Sequence, residues 1–254
     1  MTRNYLSGSI KKALAIIECV GKSTRPLKAS EVANITKLER ATAFRILTYL
    51  TSLGYLFKDI NTNLYSLGHK LYEFGDKSDY LKTLTTLCLD SIRNLSKDTD
   101  HITYLAVLEG PHVLYCDKVD PFGDSAPRAF RMRLDAHSCA LGKAMLAHKS
   151  LDELKEIYKS YSLHKHTSNT IITLDKLYSE LRKVRKIGYS LNEAETFDYV
   201  YGVGTAILDT QGRAIAAISL SGTKGSINVK SIPNLAKKVI ETSKKISLKI
   251  SENN

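Results

Sequence analysis

The sequence is poor in the features that usually decide an assignment. None of its apolar runs reaches the roughly 18 residues that a membrane-spanning helix needs. Its opening, MTRNYLSGSIKK, has no apolar core of the secretory kind. The expected location is the cytoplasm, with no membrane partner. The four cysteines, Cys19, Cys88, Cys116 and Cys139, form no CxxC pair. Their spacing fits neither a zinc site nor a disulfide scaffold, so they read as reduced and packed as small hydrophobes. There is no internal repeat and no low-complexity linker.

Catalytic signatures are missing too. Gly142-Lys143 is not a phosphate-binding loop: His137 stands where the first Gly of GxxxxGK belongs, and Ala144 replaces Ser or Thr. His137 with Cys139, and His164 with His166, lack a second pair at zinc spacing. Glu193 and Glu195 read as carboxylates on a loop that satisfy local backbone. The expectation is no metal, no cofactor and no enzyme.

What the 254 residues do hold is charge of one sign. The net charge is +11. Residues 1–75 carry 11 Lys and Arg against 5 Asp and Glu, and the remainder 26 against 21. The first third is therefore more than twice as basic per residue. A basic head suits DNA, because Lys and Arg gain affinity by displacing counterions from phosphates. With 43% hydrophobic residues the chain is long enough for one or two ordinary cores.

Periodicity organises that first third. Ala13, Ile16, Ile17 and Val20 predict a helix over residues 9–20, stopped at Gly21. A short helix over 28–35, with Val32 and Ile35 inward, follows the Pro26 turn. Thr36-Lys37 is the next turn. A third helix over 40–52 has the apolar stripe Ala43, Ile46, Leu47, Leu50 and Leu53, and Gly54 ends it. Residues 55–58 and 64–67 are β-prone runs around a polar tip, which predicts a hairpin. Three helices and a hairpin in this order are a winged helix-turn-helix. The third helix is then the one that enters the major groove. The candidate DNA-binding residues are Arg40, Thr42, Ala43, Arg45 and Tyr49, with Lys58 on the wing. Arg is the usual reader of guanine.

The rest alternates strand pairs with helices. Leu81, Leu84, Cys88, Ile92 and Leu95 mark a helix over 80–95, either a linker and dimer contact or a helix packed on its own domain. Strands are predicted over 101–108, 112–119, 202–208 and 213–220, and helices over 137–148, 151–158, 174–187 and 232–250. The expected class is α+β around an antiparallel sheet. Arg128, Arg131 and Arg133 are either an anion clamp or a basic surface loop.

The blocks Ser9-Ile10-Lys11-Lys12-Ala13-Leu14-Ala15-Ile16-Ile17 and Arg40-Ala41-Thr42-Ala43-Phe44-Arg45-Ile46-Leu47 resemble those of IclR-type transcriptional regulators. So do Leu53-Gly54-Tyr55, Tyr65-Ser66-Leu67-Gly68, Ala140-Leu141-Gly142-Lys143-Ala144-Met145-Leu146-Ala147, Gly188-Tyr189-Ser190 with Glu193 and Glu195, and Ile215-Ala216-Ala217-Ile218-Ser219-Leu220-Ser221-Gly222. The resemblance implies a winged helix-turn-helix over 1–75, a linker helix over 76–98 and a GAF-like effector-binding and oligomerisation domain over 99–254. It implies a homodimer or homotetramer that binds double-stranded operator DNA, as repressor or activator, under control of a small organic or aromatic acid.

The resemblance also carries effector-binding candidates. Ser219 and Ser221 alternate on a strand and so share a face, either toward a ligand carboxylate or on an exposed sheet surface. Asn192 stands at a position often acidic in the family, and Gly202 where relatives often place a cysteine. Arg131 and Met132 align with a loop whose backbone amides hold an effector carboxylate. Lys37 departs from the glycine frequent in the family's helix-turn-helix turn, which matters if that position needs positive φ. The competing readings are a small-molecule enzyme with an accessory winged helix, and a winged helix used for protein contacts or RNA.

Overall fold

In the computed structural model, which describes residues 3–76, 79–123 and 132–252, the chain divides into the units Met1–Asp79 and Tyr80–Asn254. The first holds α1 (Arg3–Lys22), α2 (Ala29–Thr36), α3 (Arg40–Ser52), β1 (Leu56–Lys58), β2 (Tyr65–Leu67) and α4 (His69–Asp76). Its core gathers Ile16 and Val20 of α1, Val32 and Ala33 of α2, and Ala43, Leu47 and Leu50 of α3. Leu56 and Tyr65 of the hairpin complete it. Each large side chain buried here stabilises by about 1.5–3 kcal/mol. α1 runs through Gly21, so that glycine is no stop. Ile35, expected inward, is 61% exposed.

Two turns fix how α3 and the hairpin are presented. α2 ends at Lys37, whose φ of 55° and ψ of 32° are left-handed, so the lysine does occupy a glycine-type conformation. At the hairpin tip the Asp59 carboxylate accepts the N–H groups of Asn61 and Thr62 and the Thr62 hydroxyl, at 2.7–3.1 Å. Asn63, at φ 57°, closes the tip, a conformation that asparagine tolerates. Leu27 pairs with Tyr65 through two backbone bonds, adding a short third piece to the wing. A Cβ on Gly68 would fall 2.1 Å from the Gly54 carbonyl oxygen, so only glycine lets the chain leave β2 at this point.

The second unit is a sheet with helices on both faces. Its elements are α5 (Asp79–Thr99), β3 (Ile102–Glu109), β4 (His112–Val119), β5 (Arg133–Asp135), a 3-10 turn (Ala136–Ser138) and α6 (Ala140–Leu146). They continue with α7 (Leu151–Tyr158), α8 (Leu174–Ile187), β6 (Ser190–Glu193), β7 (Tyr201–Leu208), β8 (Ala214–Gly222) and α9 (Ile232–Glu252). The strand order is β5-β4-β3-β8-β7-β6, antiparallel at every pairing. Alternation along the strands makes two cores. Leu105, Val203, Ile207, Ala216, Ile218 and Leu220 pack with Leu84, Cys88, Ile92 and Leu95 of α5 and with Leu235, Val239 and Ile246 of α9. Ala106, Tyr115 and Ala217 pack with α6, α7 and α8. The fold is α+β, and the apolar stripe of α5 packs on its own sheet. Among the described residues no helix is long and apolar enough to cross a membrane.

Candidate functional site

The outer face of α3 is where its periodicity leaves it. Arg40, Phe44, Arg45, Thr48 and Tyr49 are exposed and Thr42 is half-buried. Thr48 and Ser52 return their hydroxyls to the carbonyls of Phe44 and Tyr49. Ala43, expected among the DNA contacts, is instead fully buried in the unit's core, on the inward side of α3, and cannot touch DNA. Its buried methyl sets how closely α3 packs. Lys58 stands on the wing with its ammonium 5.8 Å from the Tyr65 ring centre. A groove joins this wing to the start of α2, lined by Lys28, Ala29, Ser30, Phe44, Lys58, Thr62, Asn63 and Tyr65. Phe44, 55% exposed, is a groove residue that the sequence reading passed over, although it sits one helical turn from Arg40.

In the second unit Met132, Asn192, Gly202, Ser219 and Ser221 line one cavity of about 100 Å³. Arg131, the sixth candidate, lies outside the described residues, as does Arg128. The pairing explains the convergence: Ser219 lies between Tyr104 and Gly204, and Ser221 opposite Gly202, which in turn faces Asn192. All therefore look out of the same side of the sheet, toward the start of α6. The Tyr104 and Tyr115 rings meet edge to face, with centres 5.2 Å apart, and form part of the lining. Neither serine hydroxyl is taken by another described residue. The Asn192 side-chain oxygen accepts the Glu195 N–H at 2.9 Å, which orients the amide. A side chain at Gly202 would be tightly placed. A Cβ there would come 3.1 Å from the Leu220 carbonyl oxygen and 3.7 Å from the Ala140 Cβ. Arg133 is no part of the lining; it reaches Glu109 at 2.9 Å on the surface. Cys139 also lines the cavity, and burial pushes its thiol up to about 12, so it stays protonated.

Residues 9–59 match the IclR helix-turn-helix domain, and residues 82–248 match the bacterial transcriptional regulator IclR C-terminal domain. The chain belongs to the IclR family. It is similar to the HTH-type transcriptional regulator XynR of Escherichia coli K12, with 28% identity over 216 residues, 84% of this chain and 85% of XynR. The Thermotoga maritima IclR crystal structure has the same fold at a TM-score of 0.64 and 28% identity, covering 96% of this chain and 98% of that one. An IclR homologue of Microbacterium hydrocarbonoxydans, crystallised with 4-hydroxybenzoate, shares the fold at a TM-score of 0.74 and 20% identity, covering 95% and 98%. As an IclR-family member the chain is a DNA-binding transcriptional regulator and not an enzyme.

Beside the cavity of this IclR-family chain lies a buried ion pair that sequence reading missed. Lys143 of α6, 2% exposed, meets Glu195, 5% exposed, just after β6. Burial pushes the Glu195 carboxyl up, and the Lys143 ammonium opposes that shift. Glu195 does not cap local backbone alone. Its own carbonyl accepts the Thr170 hydroxyl at 2.6 Å, and its N–H holds Asn192. The pair thus ties α6 to the segment carrying Asn192 and Thr196. The available signal was a lysine inside the apolar run ALGKAMLA, where an ammonium needs an anion.

Proposed function

We propose that Arg40, Thr42, Arg45, Tyr49 and Lys58 contact operator DNA, and that a small carboxylate bound in the second unit's cavity changes operator affinity. The reading of α3 is supported by its exposed polar face, by the basic excess of the first third and by the family to which the helix-turn-helix belongs. Arg and Lys there supply phosphate contacts, and Arg45 supplies one of the few side chains long enough to read a base edge. One 13-residue helix reads few base pairs, which supports a homodimer or homotetramer that places two such helices on paired half-sites.

The effector reading rests on one observation: two unengaged hydroxyls, Ser219 and Ser221, and the Asn192 amide converge on a space walled in part by tyrosine rings. Hydroxyls and an amide suit a carboxylate. A cavity of about 150 Å³ takes benzene, so the space of about 100 Å³ suits an acid of a few carbons. A single-ring acid, such as the 4-hydroxybenzoate held by the Microbacterium homologue, requires the wall to give. Effector and operator binding are then coupled reciprocally.

A thermal-shift screen of small organic acids tests this, because a ligand of the folded state raises its melting temperature. The acid that stabilises should also shift operator affinity. Ser219→Ala with Ser221→Ala should weaken its binding about 10-fold or more, at about 1.5 kcal/mol for a hydrogen bond to a charged group. An unchanged response in the double variant moves the effector out of this cavity.

A further inference from the structure

Four of the chain's seven histidines surround one buried carboxylate. Asp135, at the end of β5, has Oδ2 2.9 Å from His166 Nε2 and 3.6 Å from His164 Nδ1. Its Oδ1 accepts the Tyr161 hydroxyl at 2.6 Å and lies 3.6 Å from His112 Nε2. His137 is fully buried, and its Nε2 lies 3.0 Å from the His164 carbonyl oxygen. A carbonyl only accepts, so Nε2 carries the proton and Nδ1 the lone pair. That Nδ1 is buried with no hydrogen-bond partner among the described residues. A buried acceptor left unpaired costs about 1–3 kcal/mol. One donor atom from each of Asp135, His137 and His166 lies within 4.8 Å of the other two.

We propose that Asp135, His137 and His166 bind a divalent transition-metal ion, with Zn²⁺ the best match to the donor set. Two imidazoles and a carboxylate, with a fourth position open, suit zinc. Magnesium and calcium want oxygen donors and would leave both imidazoles unused. Tetrahedral zinc with ligands at 2.0–2.1 Å separates its donors by about 3.4 Å. The widest separation, up to 4.8 Å, must therefore shorten by up to about 1.4 Å, while the 2.9 Å Asp135–His166 contact opens by about 0.5 Å. His166 can supply that movement, since it is partly exposed on the segment 159–173, which has no helix or strand. Asp135 and His137 are held by strand pairing and burial.

The surroundings are those of a ligand set already oriented. Tyr161 occupies the Asp135 oxygen that the metal does not need, and the His164 carbonyl fixes the His137 tautomer. Spacing along the chain concealed the set, because its members come from a strand, a 3-10 turn and a connecting segment. Leu134 and Cys139, neighbours of the ligands, line the cavity described above. The ion would brace that wall.

The test is Zn²⁺ titration of the full-length protein after chelator treatment and dialysis, by calorimetry and thermal unfolding, with Co²⁺ as a visible-spectrum probe. One ion per chain, a raised melting temperature and tetrahedral Co²⁺ bands are expected. His166→Ala should abolish saturable binding. Tyr161→Phe, which keeps the ring and removes an outer contact, should weaken it about 10-fold. His69→Ala, in the first unit, should change nothing. Zinc bound as tightly by His166→Ala as by the unaltered chain, no saturable site, or loss of binding in His69→Ala overturns the proposal.

Discussion

The two units treat charge in opposite ways. In the first, Arg40 and Arg45 stand in solvent and the Arg25–Glu31 pair, at 2.6 Å, is largely exposed. In the second, Lys143 and Glu195 are withdrawn from solvent as a pair. Exposed cations keep their hydration and are available to phosphate, but they add little to stability. Buried charges are out of reach of a polyanion in solution. They are costly to dehydrate and persist because they orient one another. The first unit thus carries its chemistry on its surface, and the second uses charge as internal framing around a cavity.

That contrast is sharpest at Lys143. Lys143→Ala leaves Glu195 buried without its cation and should destabilise the second unit by about 3–5 kcal/mol. Replacing both members with apolar residues of similar volume should restore most of that loss. Chemical denaturation of single and double variants measures both. Equal losses in the two would mean that Lys143 matters through packing, and the contrast would fail.

Arg45→Ala is the matching cut in the first unit. It should cost about 1–3 kcal/mol of operator affinity, roughly 5- to 150-fold, and shift stability by less than about 0.5 kcal/mol. Anisotropy titrations with operator duplex at two salt concentrations, beside a melting curve, separate the two effects. Unaltered affinity would remove Arg45 from the reading surface.

The smallest effect belongs to Glu31. Hydrogen bonds from Arg25 and from the Lys28 N–H hold its carboxyl down to about 2. A depressed carboxyl stabilises the fold at pH above its unfolded value, near 4.5, and loses that contribution as pH falls toward 2. Glu31→Gln should therefore lower stability slightly in the neutral range, with the gap closing as pH falls from 4.5 toward 2, which shallows the acid limb. Circular-dichroism melts across that range show the difference; an identical acid limb in both proteins would show the pair to be silent.

The same contrast governs how much could be read from the sequence. α3 was legible to its ends, 40 and 52, because its apolar stripe is local and Gly54 punctuates it. The hairpin and the four long strands were legible for the same reason. β5 and β6 were not, because edge strands of three or four residues carry too little alternation. α4 lay hidden in a polar stretch, and Ile35 looked like a core residue because period alone does not say how wide a buried stripe is. The cavity candidates were named through resemblance, and the pairing of β3, β6, β7 and β8 shows why they meet. The Lys143–Glu195 pair and the histidine cluster were beyond any local pattern, since their members come together only when the sheet forms.

The glycine that closes the wing has a mechanical consequence. Gly68 lies against the Gly54 carbonyl with its N–H bonded to Tyr55 at 2.8 Å, and Lys70 donates to Gly54 at 3.3 Å. Backbone touches backbone there, with no compliant side chain between. The root of α4, the wing and the trailing end of α3 are keyed together like parts of one crank. A torque applied at the start of α4 would reach α3 with little lost motion.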